Sequence, residues 1–86
     1  MAIIRNHQTR QQVLAKFRVL FPTWSVQLSG SELLALSPEH KDMSWTVASP
    51  EIAKLRTLSV ALGIPVLSQR RSGRILATMD LRDLPE

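Results

Sequence analysis

Residues 66–75 read Val-Leu-Ser-Gln-Arg-Arg-Ser-Gly-Arg-Ile, three arginines around a Ser-Gly pair with apolar residues on either side. Arginine is always charged and offers a planar fork of donors. At a turn, Arg70, Arg71 and Arg74 would make a phosphate-contacting tip. A solvated hairpin turn has the same composition, and the residues alone do not separate the two readings. A second concentration of positive charge is N-terminal. Residues 1–30 hold Arg5, Arg10, Lys16 and Arg18 and no acid, and all seven acids fall at or after Glu32. Arg10, Lys16 and Arg18 form the second candidate face for a polyanion, since clustered charge attracts one and speeds encounter.

Other chemistries have less to stand on. Glu39, His40 and Asp42 gather in a polar loop, but no Ser or second His at a usable spacing joins them, and there is no Cys in the chain. His7 and His40 do not make a metal-ligand pair. No catalytic residue, metal, cofactor or small-molecule substrate is therefore expected, and the chain reads as a non-enzyme. The aromatic residues are Phe17, Phe21, Trp24 and Trp45, with no Tyr. All four fall on expected core faces, so none is left for bases to stack on as single-strand binders require. A nucleic-acid partner would then be a duplex, held by its backbone.

The elements that must position these groups follow from periodicity. Thr9 to Phe21 predicts a first helix with Val13, Leu14, Phe17, Leu20 and Phe21 in one stripe, capped by Asn6 or Thr9 and stopped by Pro22. Trp24 to Ser29 alternates, with Trp24, Val26 and Leu28 on one face. Gly30-Ser31 turns the chain, and Glu32 to Leu36 returns it as a hairpin. Ser37 to Met43 reads as a loop and Ser44 to Ala48 as a third strand, with Trp45 and Val47 inward. A second helix is expected from Pro50 to Leu62, with Ser49 as cap, Ile52, Leu55, Leu58 and Leu62 buried, and Gly63 as its stop. Ile64 to Leu67 is a short strand. Beyond the arginine turn, Arg74 to Leu81 is the last, with Val66, Leu67, Ile75 and Ala77 anchoring the pair.

The order α-β-β-β-α-β-β predicts an α+β fold, two amphipathic helices on one face of a mixed sheet of four to five strands. Trp45-Val47, the second helix and Ile64-Leu67 have the pattern of a β-α-β crossover. The 86 residues make one domain, with an N-terminal arm at 1–6 and a C-terminal tail at 82–86.

Two resemblances bear on function. The order helix, three strands, helix, strand resembles the core of the restriction-endonuclease-like family, over most of Thr9 to Leu67. That family carries an acid-x-Lys pair on its third core strand. Ser44-Trp45-Thr46-Val47 has neither acid nor lysine, so nothing would hold the metal that activates water. Leu58 to Pro65 resembles the first helix and turn of a helix-turn-helix, with Arg70 to Arg74 near the wing of a winged form. Gln69 stands where an apolar residue belongs, and Ser72-Gly73 cuts the next helix short.

The chain carries a formal net charge of +4. No apolar run approaches the roughly 18 residues of a membrane span, and Met1 to His7 is too short and polar for a signal peptide. Without cysteine the setting expected is the cytoplasm. The function expected is a small basic nucleic-acid-binding module that contacts duplex phosphates through Arg70, Arg71 and Arg74, with Arg10, Lys16 and Arg18 in support. The alternative is a protein-interaction or inhibitory module that meets an acidic partner surface, by strand addition at a sheet edge.

Overall fold

A computed structural model describes residues 8–41 and 44–86 of the chain. The elements are α1 (Arg10–Leu20), β1 (Ser25–Ser29), β2 (Glu32–Leu36), α2 (Trp45–Leu62), β3 (Val66–Arg71) and β4 (Arg74–Asp80). The fold is α+β, as the periodicities imply, but the order is α-β-β-α-β-β, and the sheet is wholly antiparallel with strand order β1-β2-β4-β3. The expected N-terminal arm at 1–6 and Asp42 lie outside the described residues, as do the Trp45 and Val47 side chains.

The first helix begins where its capping chemistry dictates. Thr9 Oγ1 accepts the Gln12 N–H at 3.1 Å, and Gln12 Oε1 accepts the Thr9 N–H at 2.8 Å, a reciprocal box that satisfies two helix-end donors. At the other end the Phe21 N–H still reaches the Phe17 carbonyl at 2.9 Å, and Pro22 follows. Val13, Leu14, Phe17 and Phe21 are buried as the stripe requires; Leu20 is 40% exposed and lies at its edge. Phe17, Phe21 and Trp24 pack as a tilted trio with ring centroids 4.6 to 6.1 Å apart, which joins α1 to the start of the sheet.

The third strand expected at Ser44–Ala48 is instead the first turn of α2, which starts at Trp45 and carries Pro50 inside it. Ser49 is therefore a helical residue and not the cap. Ala48 explains the difference. It is fully buried and donates to the Ser44 carbonyl at 2.9 Å. It also stands four residues before Ile52 and seven before Leu55, so it extends the buried stripe of α2 backward. Over five residues, strand alternation and helical spacing are hard to tell apart. Pro50 withholds the N–H that would meet the Thr46 carbonyl, and its ring crowds that carbonyl, costs the helix carries within its first two turns. The element order that resembles the restriction-endonuclease-like core is accordingly absent.

Both β2 and β3 pair antiparallel with β4, so they run parallel to each other, and α2 is the crossover between them. The crossover expected from Trp45–Val47 is not formed, since those residues are helical; β2 supplies its first strand instead. After Gly63 the chain enters β3 directly, so no recognition helix follows α2.

Register assigns the faces. Val26 and Leu28, Leu33 and Ala35, Ile75, Ala77 and Met79, and Val66 share the side that packs with the helices. Among the described residues the other side carries no helix, and it presents Leu34, Leu36, Leu76 and Thr78 between polar residues. Leu67 falls on that open side and is 69% exposed, so it does not anchor the hairpin as expected. The C-terminal segment packs against the fold. Leu81 is buried, Leu84 is packed on the core, and the Arg10 N–H donates to the Pro85 carbonyl at 2.8 Å.

Candidate nucleic-acid interface

The arginines sit where the turn chemistry places them. Arg71 and Arg74 are the last facing pair of β3 and β4, joined by Ser72 and Gly73 alone. Both turn residues have positive φ, 49° and 75°. That is the two-residue turn whose twist matches an antiparallel pair, and glycine reaches it freely while serine does so at some cost.

A second layer of contacts braces the hairpin. The segment after β2 continues alongside β4. The Ser37 N–H donates to the Ile75 carbonyl at 2.9 Å, and Ser37 Oγ accepts the Ile75 N–H at 2.8 Å. Farther out, the His40 N–H donates to the Gly73 carbonyl at 2.9 Å. Among the described residues Ser37, 2% exposed, is the one polar residue in the buried set, and it is there because it completes the edge of β4 beyond β2. A Cβ at position 73 would stand 2.5 Å from the His40 carbonyl oxygen, so glycine is required by space as well as by φ.

Within this frame the three guanidinium groups divide. Arg70 and Arg71 are exposed and Arg74 is half-buried. Register puts Arg70 on the helix side of the sheet and sets Arg71 directly opposite Arg74 on the open side. Like charges directly across strands repel. The Glu39 carboxylate, 3.6 Å from the Arg74 guanidinium, offsets one of them. That ion pair is open to solvent and contributes little to stability. Glu39 thus belongs to the hairpin as a counter-charge. Among the described residues no group of three or more His, Asp and Glu side chains could hold a metal ion.

Arg56 is a neighbour the sequence reading missed. Together with Leu55 and Ser59 of α2 and Val66 and Ser68 of β3 it lines a cleft of about 420 Å³. Arg70 follows Ser68 by two residues, on the same face of β3. Arg56 is distant in sequence from β3, and only the packing of α2 on β3 brings it beside Val66 and Ser68.

The second expected face does not assemble. Arg10 is the most committed of its members: its Nε donates to the Leu81 carbonyl at 3.0 Å, and its terminal nitrogens reach the Arg82 carbonyl and Glu86, each at 3.3 Å. It clamps the C-terminal segment and is 14% exposed. Arg18 reaches the Val26 carbonyl at 3.4 Å, on the outer strand β1. Lys16 lines a groove between α1 and α2. Positions 16 and 18 stand about 160° apart on a helix, so one face cannot hold both.

The opposite end of the sheet has the reverse polarity. Glu32 lies across from Asp80, and Asp83 and Glu86 follow. Arg82 relieves that like-charge pair, with Nε 2.6 Å from an Asp80 carboxylate oxygen. This side-chain hydrogen bond, with the Arg82 N–H bonded to the same carboxylate, holds Asp80 below its ordinary 3.8; the same bond raises Arg82. Acids at one end and the arginine hairpin at the other, about 20 Å away along β4, make the molecule electrically polar.

No family model matches the chain, and no curated protein or solved structure matches it either. Among the described residues no helix is long and apolar enough to cross a membrane.

Proposed function

We propose that the protein is a non-enzymatic, cytoplasmic nucleic-acid-binding module that grips duplex phosphates with Arg70, Arg71 and Arg74. The observation that carries this reading is the directly opposed Arg71 and Arg74 on a turn braced by Ser37 and His40. Two arginines directly opposed across the strands repel, Glu39 meets only one of them, and an anion at the tip relieves the rest, while the bracing spares the ordering cost of a mobile loop. Arg10 is removed from the candidate contacts by its role in the C-terminal segment, and Lys16 and Arg18 are separated from the hairpin. The phosphate contacts of this reading are few, so affinity is modest, insensitive to sequence and steeply dependent on salt.

Fluorescence anisotropy with a labelled random duplex at low and physiological salt tests it. Arg70→Ala/Arg71→Ala/Arg74→Ala should leave the fold intact and weaken binding across all sequences. The salt slope should flatten by about one unit per lost phosphate contact. Wild-type protein that binds no duplex at low salt, or a triple variant with unchanged slope, refutes the reading.

The second reading is strand addition by an acidic segment of a partner. It is favoured by β3 itself, which has a strand on one side only and is exposed from Leu67 to Arg71. Binding of an acidic extended peptide, with backbone amides of 67–71 newly protected from exchange and no duplex binding, would select it.

A further inference from the structure

A different surface, on the helix layer, has the features of a protein-docking groove. Both helices pack on the sheet but make little direct backbone contact with each other, and a groove of about 580 Å³ runs between them. Its floor is Leu58. One wall is Val19 and Leu20 of α1, and the other is Ala53 and Ala61 of α2. Val19 is 79% exposed and Leu20 40%, so this apolar surface meets water.

Charge at the rim says what fits. Lys16 lines the groove from α1 and Lys54 from α2, and no acid lines it. Lys54 is steadied from below by the Phe21 ring, with Nζ 5.8 Å from its centroid, and from one side by Glu51 at 3.7 Å. We propose that this groove docks an amphipathic helix of a partner protein, with its apolar stripe on Leu58 and acidic residues along both borders meeting Lys16 and Lys54. Helix-in-groove recognition needs an apolar channel, and apart from Lys16, Lys54 and Thr57 the residues lining this groove are apolar. Two copies meeting groove to groove would set lysine rim against lysine rim, which like-charge repulsion opposes. Residues 1–7 carry Arg5 and no acid, so charge argues against that segment too. The proposal does not depend on duplex binding.

The probe is a synthetic amphipathic peptide of about 18 residues with a leucine stripe bordered by glutamates. A twin with lysines in place of the glutamates is the control. Each is titrated into the isotope-labelled full chain and followed by amide chemical shifts. The acidic peptide should move Val19, Leu20, Ala53, Thr57 and Ala61 and leave 67–74 unmoved. Lys16→Glu/Lys54→Glu should weaken it about tenfold or more and admit the lysine twin. Ala61→Gln, which crowds the groove and leaves the rim charge alone, should weaken the acidic peptide without admitting the twin; circular dichroism checks that each variant folds. The proposal is overturned by no groove shifts at millimolar acidic peptide, by equal binding of the two peptides, or by shifts centred on β3. Groove shifts that grow with protein concentration alone, or with decanoate but not with the acidic peptide, overturn it as well.

Discussion

Replacing Gly73 by alanine isolates the contact that braces the arginine hairpin. At φ 75° an L-residue carries a cost of about 1–2 kcal/mol. The new Cβ would also sit 2.5 Å from the His40 carbonyl oxygen, which is backbone and cannot swing aside as a side chain would. Relieving that contact moves the 37–40 segment away and weakens the hydrogen bond from His40 N–H to the Gly73 carbonyl, about another 1 kcal/mol. The expected loss for Gly73→Ala is about 2–3 kcal/mol. Gly30→Ala is the internal control: its φ is 61°, but nothing lies within 4 Å of the added methyl, so only the backbone cost applies. It should lose about 1–2 kcal/mol. Urea unfolding followed by tryptophan fluorescence reads both, since Trp24 is 8% exposed and reports on the core. The two variants should share one m value and differ in midpoint. In thermal unfolding Gly73→Ala should fall by about 10–25 °C. Losses equal within about 0.5 kcal/mol would show that the His40 contact contributes nothing, and the braced hairpin would be refuted. Under the proposed function, Gly73→Ala should also weaken duplex binding with all three arginines still present.

Other perturbations separate structural from binding roles. Arg10→Ala should cost about 1–3 kcal/mol through its lost bonds to the Leu81 and Arg82 carbonyls, yet leave the salt slope of duplex binding unchanged; a flattened slope would return Arg10 to the interface. Phe17→Ala, at a fully buried position against Phe21 and Trp24, should cost about 3–5 kcal/mol and leave little folded protein near physiological temperature; a loss below about 1 kcal/mol in denaturant unfolding would contradict the core assignment. Asp80 should titrate below 3.8 by carbon-detected NMR, and Arg82→Ala should raise it toward the ordinary value, the residue-82 N–H still holding it partly down. A carboxylate with a depressed folded pKa adds stability above its unfolded value and loses it as pH falls through the folded one. Arg82→Ala should therefore flatten the pH dependence of stability only in the acid range, below about pH 4. An Asp80 pKa that does not move on removing Arg82 would break the assignment.

Much of this architecture was legible because it is local. The Thr9–Gln12 box, Pro22 and the stripe of α1 are all properties of neighbours within one or two turns, so the helix is readable to within a residue at each end. The arginine turn is equally local, since a Ser-Gly pair between apolar runs specifies a two-residue hairpin whatever surrounds it. The start of α2 is the failure that teaches most. Ser49-Pro50-Glu51 is a valid helix-start signature, and it was outweighed by Ala48, whose burial extends the apolar stripe one turn further back. Local signals rank the alternatives, and burial against a distant element selects among them.

The sequence by itself determined the two one-sided helices, both hairpins, and a turn that carries three arginines, because each depends on residues a few positions apart. Only the tertiary structure decided which charges share a surface. It drew Arg10 into the C-terminal segment, set Arg18 at the β1 edge and Lys16 in the helix groove, and brought Arg56 to the arginine strand. It also ran residues 37–40 along β4 to brace the hairpin. A charged side chain has little local preference in a helix or a strand, so its surroundings are fixed by how the elements pack and not by the residues beside it.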